Sequence, residues 1–298
     1  MKKEELFLNI ISNTLKNSEF LGDDCAYLPE FNLVVSSDAL VEDVHFNLKT
    51  ISPYQLGKKA LLVNISDILA SGAKPEYLTI TLSGSLDENF IKDFYKGADE
   101  ICALYDLKII GGDLTGGDKI NISITIFGNT KGRNISSRKN AKPGFAVLLA
   151  GYHGSSAKGF KILNGIEDCS ANKEYFIKSH LEPTLYPKIS EIISQNCKNY
   201  AMMDTSDGLF DALKKISEAS SVGFNIEFNK ILKKTDDFNN VLFGGEDYGL
   251  FICIGDEDYQ RILPLLDTKN ITKIGIVTKD KILIDGKEIT EDLSYEHF

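Results

Sequence analysis

Carboxylates set beside glycine or serine are the residues of this 298-residue chain whose type and spacing could do chemistry. They recur as Gly22-Asp23-Asp24, Ser36-Ser37-Asp38, Asn64-Ile65-Ser66-Asp67, Gly111-Gly112-Asp113, Asp204-Thr205-Ser206-Asp207-Gly208 and Gly244-Gly245-Glu246-Asp247. Each follows or ends an apolar run, as in Leu107-Lys108-Ile109-Ile110-Gly111-Gly112-Asp113. A carboxylate at the mouth of a strand can reach a hard cation, and a small neighbour leaves room for a ligand oxygen. Such mouths, drawn from distant segments, predict one site holding several magnesium ions against a polyphosphate. A local reading competes: Asp67 and Asp207 also suit helix caps, and Asp113 a turn.

Other chemistries leave no trace. There is no Gly-x-x-x-x-Gly-Lys-Ser/Thr, no Gly-x-Gly-x-x-Gly after a strand, and no protein-kinase His-Arg-Asp or Asp-Phe-Gly. The loop Gly151 to Gly159 has the wrong spacing for a phosphate loop and reads equally as a turn opening a helix. Of the histidines His45, His153, His180 and His297, none forms a metal-ligand pair; His45 alone lies close to two carboxylate clusters. The cysteines Cys25, Cys102, Cys169, Cys197 and Cys253 are odd in number, widely spaced and without a Cys-x-x-Cys pair, which fits reduced thiols in the cytoplasm. A net charge of -10 argues against nucleic acid or an anionic membrane as partner. It is compatible with ATP, which carboxylates bind through metal ions. No segment has the apolar length of a membrane span, and the charged N-terminus leads into an amphipathic helix rather than a signal peptide.

The elements that must position these carboxylates alternate in type. The spacing predicts helices over 5–19, Tyr54 to Gly72 and Glu88 to Tyr105, with strands at Leu33 to Ser37, Tyr77 to Ser83, Lys108 to Ile110 and Asn121 to Phe127. The Arg-, Lys-, Asn-, Ser-, Pro- and Gly-rich stretch Lys131 to Gly144 reads as a linker. Beyond it come strands Phe145 to Ala150, Ala201 to Met203, Leu250 to Ile254 and Ile274 to Val277, a helix Gly208 to Ser220, and a polar surface loop Lys233 to Asn240. The fold class is α+β in two domains, 1–135 with a mixed sheet and helices, and 136–298.

The motif order resembles the thiamine-monophosphate kinase family, within the aminoimidazole-ribonucleotide-synthetase-like ATP-binding superfamily. The strings that carry it are Gly22-Asp23-Asp24-Cys25-Ala26, Ser37-Asp38-Ala39-Leu40-Val41-Glu42-Asp43-Val44-His45-Phe46, Lys59 through Asp67, Ser71-Gly72-Ala73-Lys74-Pro75, Gly111-Gly112-Asp113, Arg138 with Ala141-Lys142-Pro143-Gly144, Met203 through Leu209, Gly244 through Tyr248 and Tyr295-Glu296-His297-Phe298. The Val-His-Phe string and the Tyr-x-His-Phe tail are similar to this member in particular.

The resemblance implies phosphorylation of thiamine monophosphate by ATP to thiamine diphosphate, with several Mg2+ ions. It also implies a homodimer paired through the N-terminal sheet and, for 136–298, a domain of α/β type closing over the nucleotide. By the same resemblance Asp24, Ser36, Ser37, Asp38, Asp67, Asp113, Asp204 and Asp207 form the metal set. Tyr105, Gly112, Arg138 and Ser206 contact ATP, and His45, Glu246 and Tyr295 contact substrate. An acceptor phosphate is already ionised, so no general base is expected. The chain departs from the family pattern at Leu114, Gly116, Phe145, Ser155 and Gly249, none of them a presumed metal ligand. Two other readings stand beside this one. The first is a sibling enzyme of the aminoimidazole ribonucleotide synthetase or selenophosphate synthetase type, the latter disfavoured because the first cysteine, Cys25, follows the Asp pair. The second is a non-catalytic nucleotide or metal sensor.

Overall fold

The computed structural model describes residues 3–168, 171–289 and 291–295. Cys169, His297 and the Glu296-His297-Phe298 end of the terminal string lie outside the described residues. Helix α1 (Lys3–Thr14) precedes a sheet of β1 (Ala26–Leu28), β2 (Leu33–Val41), β3 (Lys74–Gly84), β4 (Lys108–Gly116) and β5 (Asn121–Asn129). The order is β1-β2-β5-β3-β4, antiparallel throughout except for the parallel pair β3–β4. Alternation along β5 turns Ile122, Ile124 and Ile126 into the core, where α2 (Pro53–Ser71) and α3 (Glu88–Tyr105) cover the sheet. β4 lies at the edge, and all nine of its residues are exposed.

The second sheet contains β6 (Ala146–Ala150), β7 (Tyr200–Asp204), β8 (Gly223–Ile226), β9 (Leu250–Ile254), β10 (Ile271–Thr278), β11 (Ile282–Ile284) and β12 (Lys287–Glu288), in the order β12-β11-β8-β10-β6-β9-β7. Helices α4 (Ser155–Leu163), α5 (Lys173–Leu181), α6 (Pro187–Asn196), α7 (Leu209–Ser220), α8 (Phe238–Phe243) and α9 (Asp256–Ile262) accompany it. The α/β expectation for this half is corrected here: only β8–β11 pair in parallel. β6 and β7 run the same way through a helical crossover, but β9 inserts between them antiparallel to both. The result is a mostly antiparallel, α+β half. β6, β7 and β9 are buried at every position, which is why they read as unbroken apolar runs. Boundaries also differ from expectation: α1 stops at Thr14, β2 runs on to Val41 and β4 to Gly116, and the polar Lys233 to Asn240 stretch runs into α8. Among the described helices none is long and apolar enough to cross a membrane.

Helix α2 joins the halves. Ser52 caps its start in a capping box with Gln55, Pro53 occupies the first turn, and Gly72 ends it in the left-handed region at φ 89°. Its burial continues around nearly the whole circumference rather than along one stripe. Leu61 and Ile65 enter the first core, Ala70 joins the core beneath β6 and β7, and Ser190 Oγ donates to Leu69 O at 2.6 Å. The α2–α3 crossing is reciprocal: a Cβ at Gly57 would run into the Phe94 carbonyl, and one at Gly97 into the Tyr54 carbonyl. Glycine on both helices therefore sets how closely they approach. Gly57→Ala is expected to destabilise the protein by about 1–3 kcal/mol through overpacking, read as a lower denaturant midpoint in equilibrium unfolding.

Candidate active site

Three carboxylates converge from segments far apart in the chain. Asp24 precedes β1, Asp67 sits in the C-terminal part of α2, and Asp204 ends β7; one oxygen from each lies within 4.8 Å of the others. Asp204 is only 1% exposed. Hydroxyls line the group. Ser36 Oγ donates to Asp67 Oδ2 at 2.5 Å, Ser66 Oγ to Asp204 Oδ2 at 2.6 Å, and Ser206 Oγ to Asp204 Oδ1 at 2.8 Å. Arg138 Nη2 donates to Asp24 Oδ1 at 2.9 Å. The neighbouring Asp23 holds the arginine's own segment, accepting from Arg138 N at 2.7 Å and Ser137 Oγ at 3.0 Å. The Asp-Asp pair thus divides its work: one carboxylate fixes the backbone of the arginine, the other meets its side chain.

Burial and the adjacent Asp24 push Asp204 up to about 7. Burial, followed by the charges of Asp38, Asp204 and Asp24, pushes Asp67 well above the usual carboxylate range. Like charges desolvated together favour the protonated form until a cation arrives. The donor set is all oxygen and already crowded with negative charge, which fits a hard divalent ion rather than a thiophilic one. Cys25 does not join it, since burial raises its thiol and its Sγ donates to Asp67 O.

Local geometry explains the convergence. Successive residues on a helix point about 100° apart, so Ser66 meets Asp204 while Asp67 meets Ser36 on β2. Along β2 the side chains alternate. Ser36 and Asp38 share the helix-covered face, and Ser37 lies on the other, its Oγ 3.1 Å from Thr125 Oγ1. Asp207 begins the turn into α7 and pairs with Lys215 at 3.0 Å.

Asp113, Gly112 and Tyr105 stand at the far edge of the first sheet in the single chain. Asp113 on β4 shares a register line with Thr81, Ser123 and Ala39, the face opposite Asp38. It is three strand spacings from β2, about 14 Å. Gly112 is on the same edge strand, where a Cβ would run into the Ile80 carbonyl, so its glycine already has a structural reason. Tyr105 ends α3 beside that edge, with burial pushing its hydroxyl up to about 12. His45 closes a local turn, its Nδ1 accepting from Val41 N at 2.9 Å. Tyr295 is exposed beyond the last strand.

Glu246 heads a second cluster. Its Oε1 lies 3.1 Å from Lys59 Nζ and its Oε2 3.1 Å from His180 Nδ1. Burial works to raise this carboxyl, but Lys59 and His180 outweigh it and hold it at about 2. Sequence reasoning missed Lys59, His180, Asp23 and Ser66 as members of the two clusters. The available signal was Lys59 itself, a cation opening the apolar run Ala60-Leu61-Leu62-Val63.

Comparison with known proteins follows the same lines. The family described as AIR synthase related protein, N-terminal domain, matches residues 22–130, and the AIR synthase related protein, C-terminal domain, matches residues 142–285. The thiamine-monophosphate kinase of Bacillus subtilis (strain 168) is 33% identical over 329 residues, covering 100% of both chains. That of Escherichia coli (strain K12) is 34% identical over 301 residues, covering 93% of this chain and 91% of its own. Among solved structures, AaThiL complexed with AMPPCP and TMP superimposes with a TM-score of 0.88 at 29% identity, covering 100% of this chain and 99% of that one. Full-length similarity above 30% identity, two matching domains and a shared fold lead to one conclusion: the chain belongs to the thiamine-monophosphate kinase family.

Proposed function

We propose that this chain transfers the terminal phosphoryl group of ATP directly to the phosphate of thiamine monophosphate, giving ADP and thiamine diphosphate. The observation that carries the reading is the convergence of Asp24, Asp67 and Asp204 from three distant segments into one partly buried, mutually repelling group. Two anions must meet for this reaction, and the acceptor oxygen is already ionised, so the protein's task is placement and charge compensation rather than proton removal. His153 agrees: it is fully buried behind the Asp204–Thr205 turn, its ring within 3.1 Å of Thr205 Oγ1, and burial pushes it down to about 4. It is a packing histidine, not a base.

Magnesium ions held by Asp24, Asp67 and Asp204, with Ser36 and Asp38 alongside and Asp207 across the next turn, would offset charge on both phosphates and align them in line. Arg138 supplies a fixed positive group: beyond its bond to Asp24, its buried Nε has no partner among the described residues and remains a donor for phosphate. Ser206, tied to Asp204, is the ATP contact on the opposite side. Glu246, His45 and Tyr295 are assigned to the ring end of thiamine monophosphate. The bare edge of β4, exposed at all nine residues including Ile110 and Leu114, is assigned to a second copy of the chain. Tyr105, Gly112, Asp113 and, on the open sheet face, Ser37 take their ATP and metal roles in that paired form. A cytoplasmic setting fits the four described cysteines, all free and buried.

Incubating the protein with ATP, magnesium and thiamine monophosphate and separating the products is expected to yield thiamine diphosphate; its absence overturns the reading. Asp67→Asn is expected to lower turnover by on the order of 100-fold or more. Asp204 titrates near 7 in the fold against about 3.9 unfolded. A raised folded value stabilises below the unfolded value and is lost as pH climbs through about 7. Metal-free protein should therefore melt at lower temperature as pH rises through that window. Added Mg2+ should restore more stability on its alkaline side, where the ligand protons have left. Sedimentation at micromolar concentration is expected to give a dimer, and Ile110→Lys on the β4 edge a monomer.

A further inference from the structure

Lys59 is the unusual residue of α2. It is 2% exposed, is the one charged residue among the buried residues of that helix, and reaches across to the C-terminal half to pair with Glu246. A lysine buried this deeply is costly unless a carboxylate meets it. Glu246 is met from the opposite side by His180 on α5, whose ring is packed edge-on by Phe160 and whose Nδ1 also lies 3.1 Å from Ser156 Oγ on α4. Burial, with Lys59 nearby, holds the His180 ring toward its neutral form, so it meets the carboxylate as a hydrogen-bond donor rather than a cation.

The backbone beneath Glu246 is equally constrained. Glu246 and Tyr248 both take positive φ, at 64° and 49°, a conformation that residues with a Cβ seldom adopt. Glu246 N donates to Ser206 O at 2.6 Å, and a Cβ at Gly245 would crowd that same carbonyl. Asp247 accepts from Gly154 N at 2.6 Å and Ser156 N at 2.9 Å, pinning the loop to the start of α4. Strain of this kind persists only where the surroundings enforce it. Yet Glu246 keeps 30% of its side chain exposed. A carboxylate offers about four lone-pair directions; one donor on each oxygen leaves the remainder open to a ligand.

We infer that Lys59 and His180 are positioning residues for Glu246, presenting its open lone pairs to N–H groups on the heteroaromatic end of the substrate, remote from the transferred phosphate. The inference rests on the functional reading above and deepens it at the substrate's far end. Because Lys59 already offsets the charge of Glu246, recognition there depends on hydrogen-bond direction more than on net attraction for a cation. The side chains of Lys59, Glu246 and His180 bond to one another and to Ser156, whereas the loop meets Ser206 through backbone alone.

The test uses the full chain and compares His180→Leu, His180→Gln, Lys59→Met and Lys59→Arg in steady-state kinetics and in calorimetric titration with thiamine monophosphate and, separately, with ATP and Mg2+. His180→Leu and Lys59→Met are expected to weaken thiamine monophosphate, by KM and by Kd, roughly 10- to 100-fold while the constants for ATP stay within about twofold. His180→Gln, which keeps a donor, and Lys59→Arg are expected to recover much of the loss. Equal weakening of both ligands, or no recovery by the donor-retaining variants, marks a merely structural pair and overturns the inference. Should Lys59→Met fail to fold, the His180 comparison decides alone. Wild-type protein that binds ATP but not thiamine monophosphate overturns the functional reading itself. Wild-type binding of both, with His180→Leu unaffected, overturns only the positioning role.

Discussion

Repulsion among Asp24, Asp67 and Asp204 is the constraint around which the molecule is arranged. Two unit charges 4 Å apart at an effective dielectric of about 20 oppose each other by about 4 kcal/mol, and here three carboxylates lie within 4.8 Å and largely out of water. A fold that gathers them must hold them by other means. The described structure does so with hydroxyl donors from Ser36, Ser66 and Ser206, one guanidinium from Arg138, and the rigidity of the strands and helix that carry them. What remains uncompensated is the drive to take up cations. Site and stability are therefore linked: the residues proposed to hold the ion are those that strain the metal-free chain.

How much of this was legible in the sequence follows from the range of the interactions. The carboxylate clusters stood out because small neighbours accompany them within a few residues. The separation of Ser36 and Asp38 from Ser37 could be read from alternation alone. Strands buried on both faces announced themselves as apolar runs, and α3 began and ended where its spacing predicted. Pairings across the chain were not legible. Nothing local to Lys59 names Glu246 as its partner, and nothing near Asp23 says that it holds the backbone of Arg138. The order of the second sheet was not legible for the same reason, since β9 inserts between β6 and β7 from more than forty residues downstream. The short strands β1, β8 and β12 are too brief to show a period.

Asp113 illustrates the difference between a motif and a site. Its Gly-Gly neighbourhood is a strong local pattern, yet within one chain it faces away from the cluster on an edge strand. Gly112 is required there by the close approach of Ile80. A residue string can thus be kept by strand packing, by assembly and by chemistry at once, and only the arrangement of elements separates the three.

The tight glycine crossing of α2 with α3 has a consequence for how the two side-chain clusters are held. α2 carries Asp67 at the carboxylate cluster and Lys59 behind Glu246, eight residues apart. At 1.5 Å per residue the two stations lie about 12 Å apart along the helix axis. The helical backbone fixes that spacing, and the Gly57–Gly97 crossing fixes the helix against α3. α2 works as a ruler between the carboxylate cluster and the Glu246 cluster, holding one fixed distance between them.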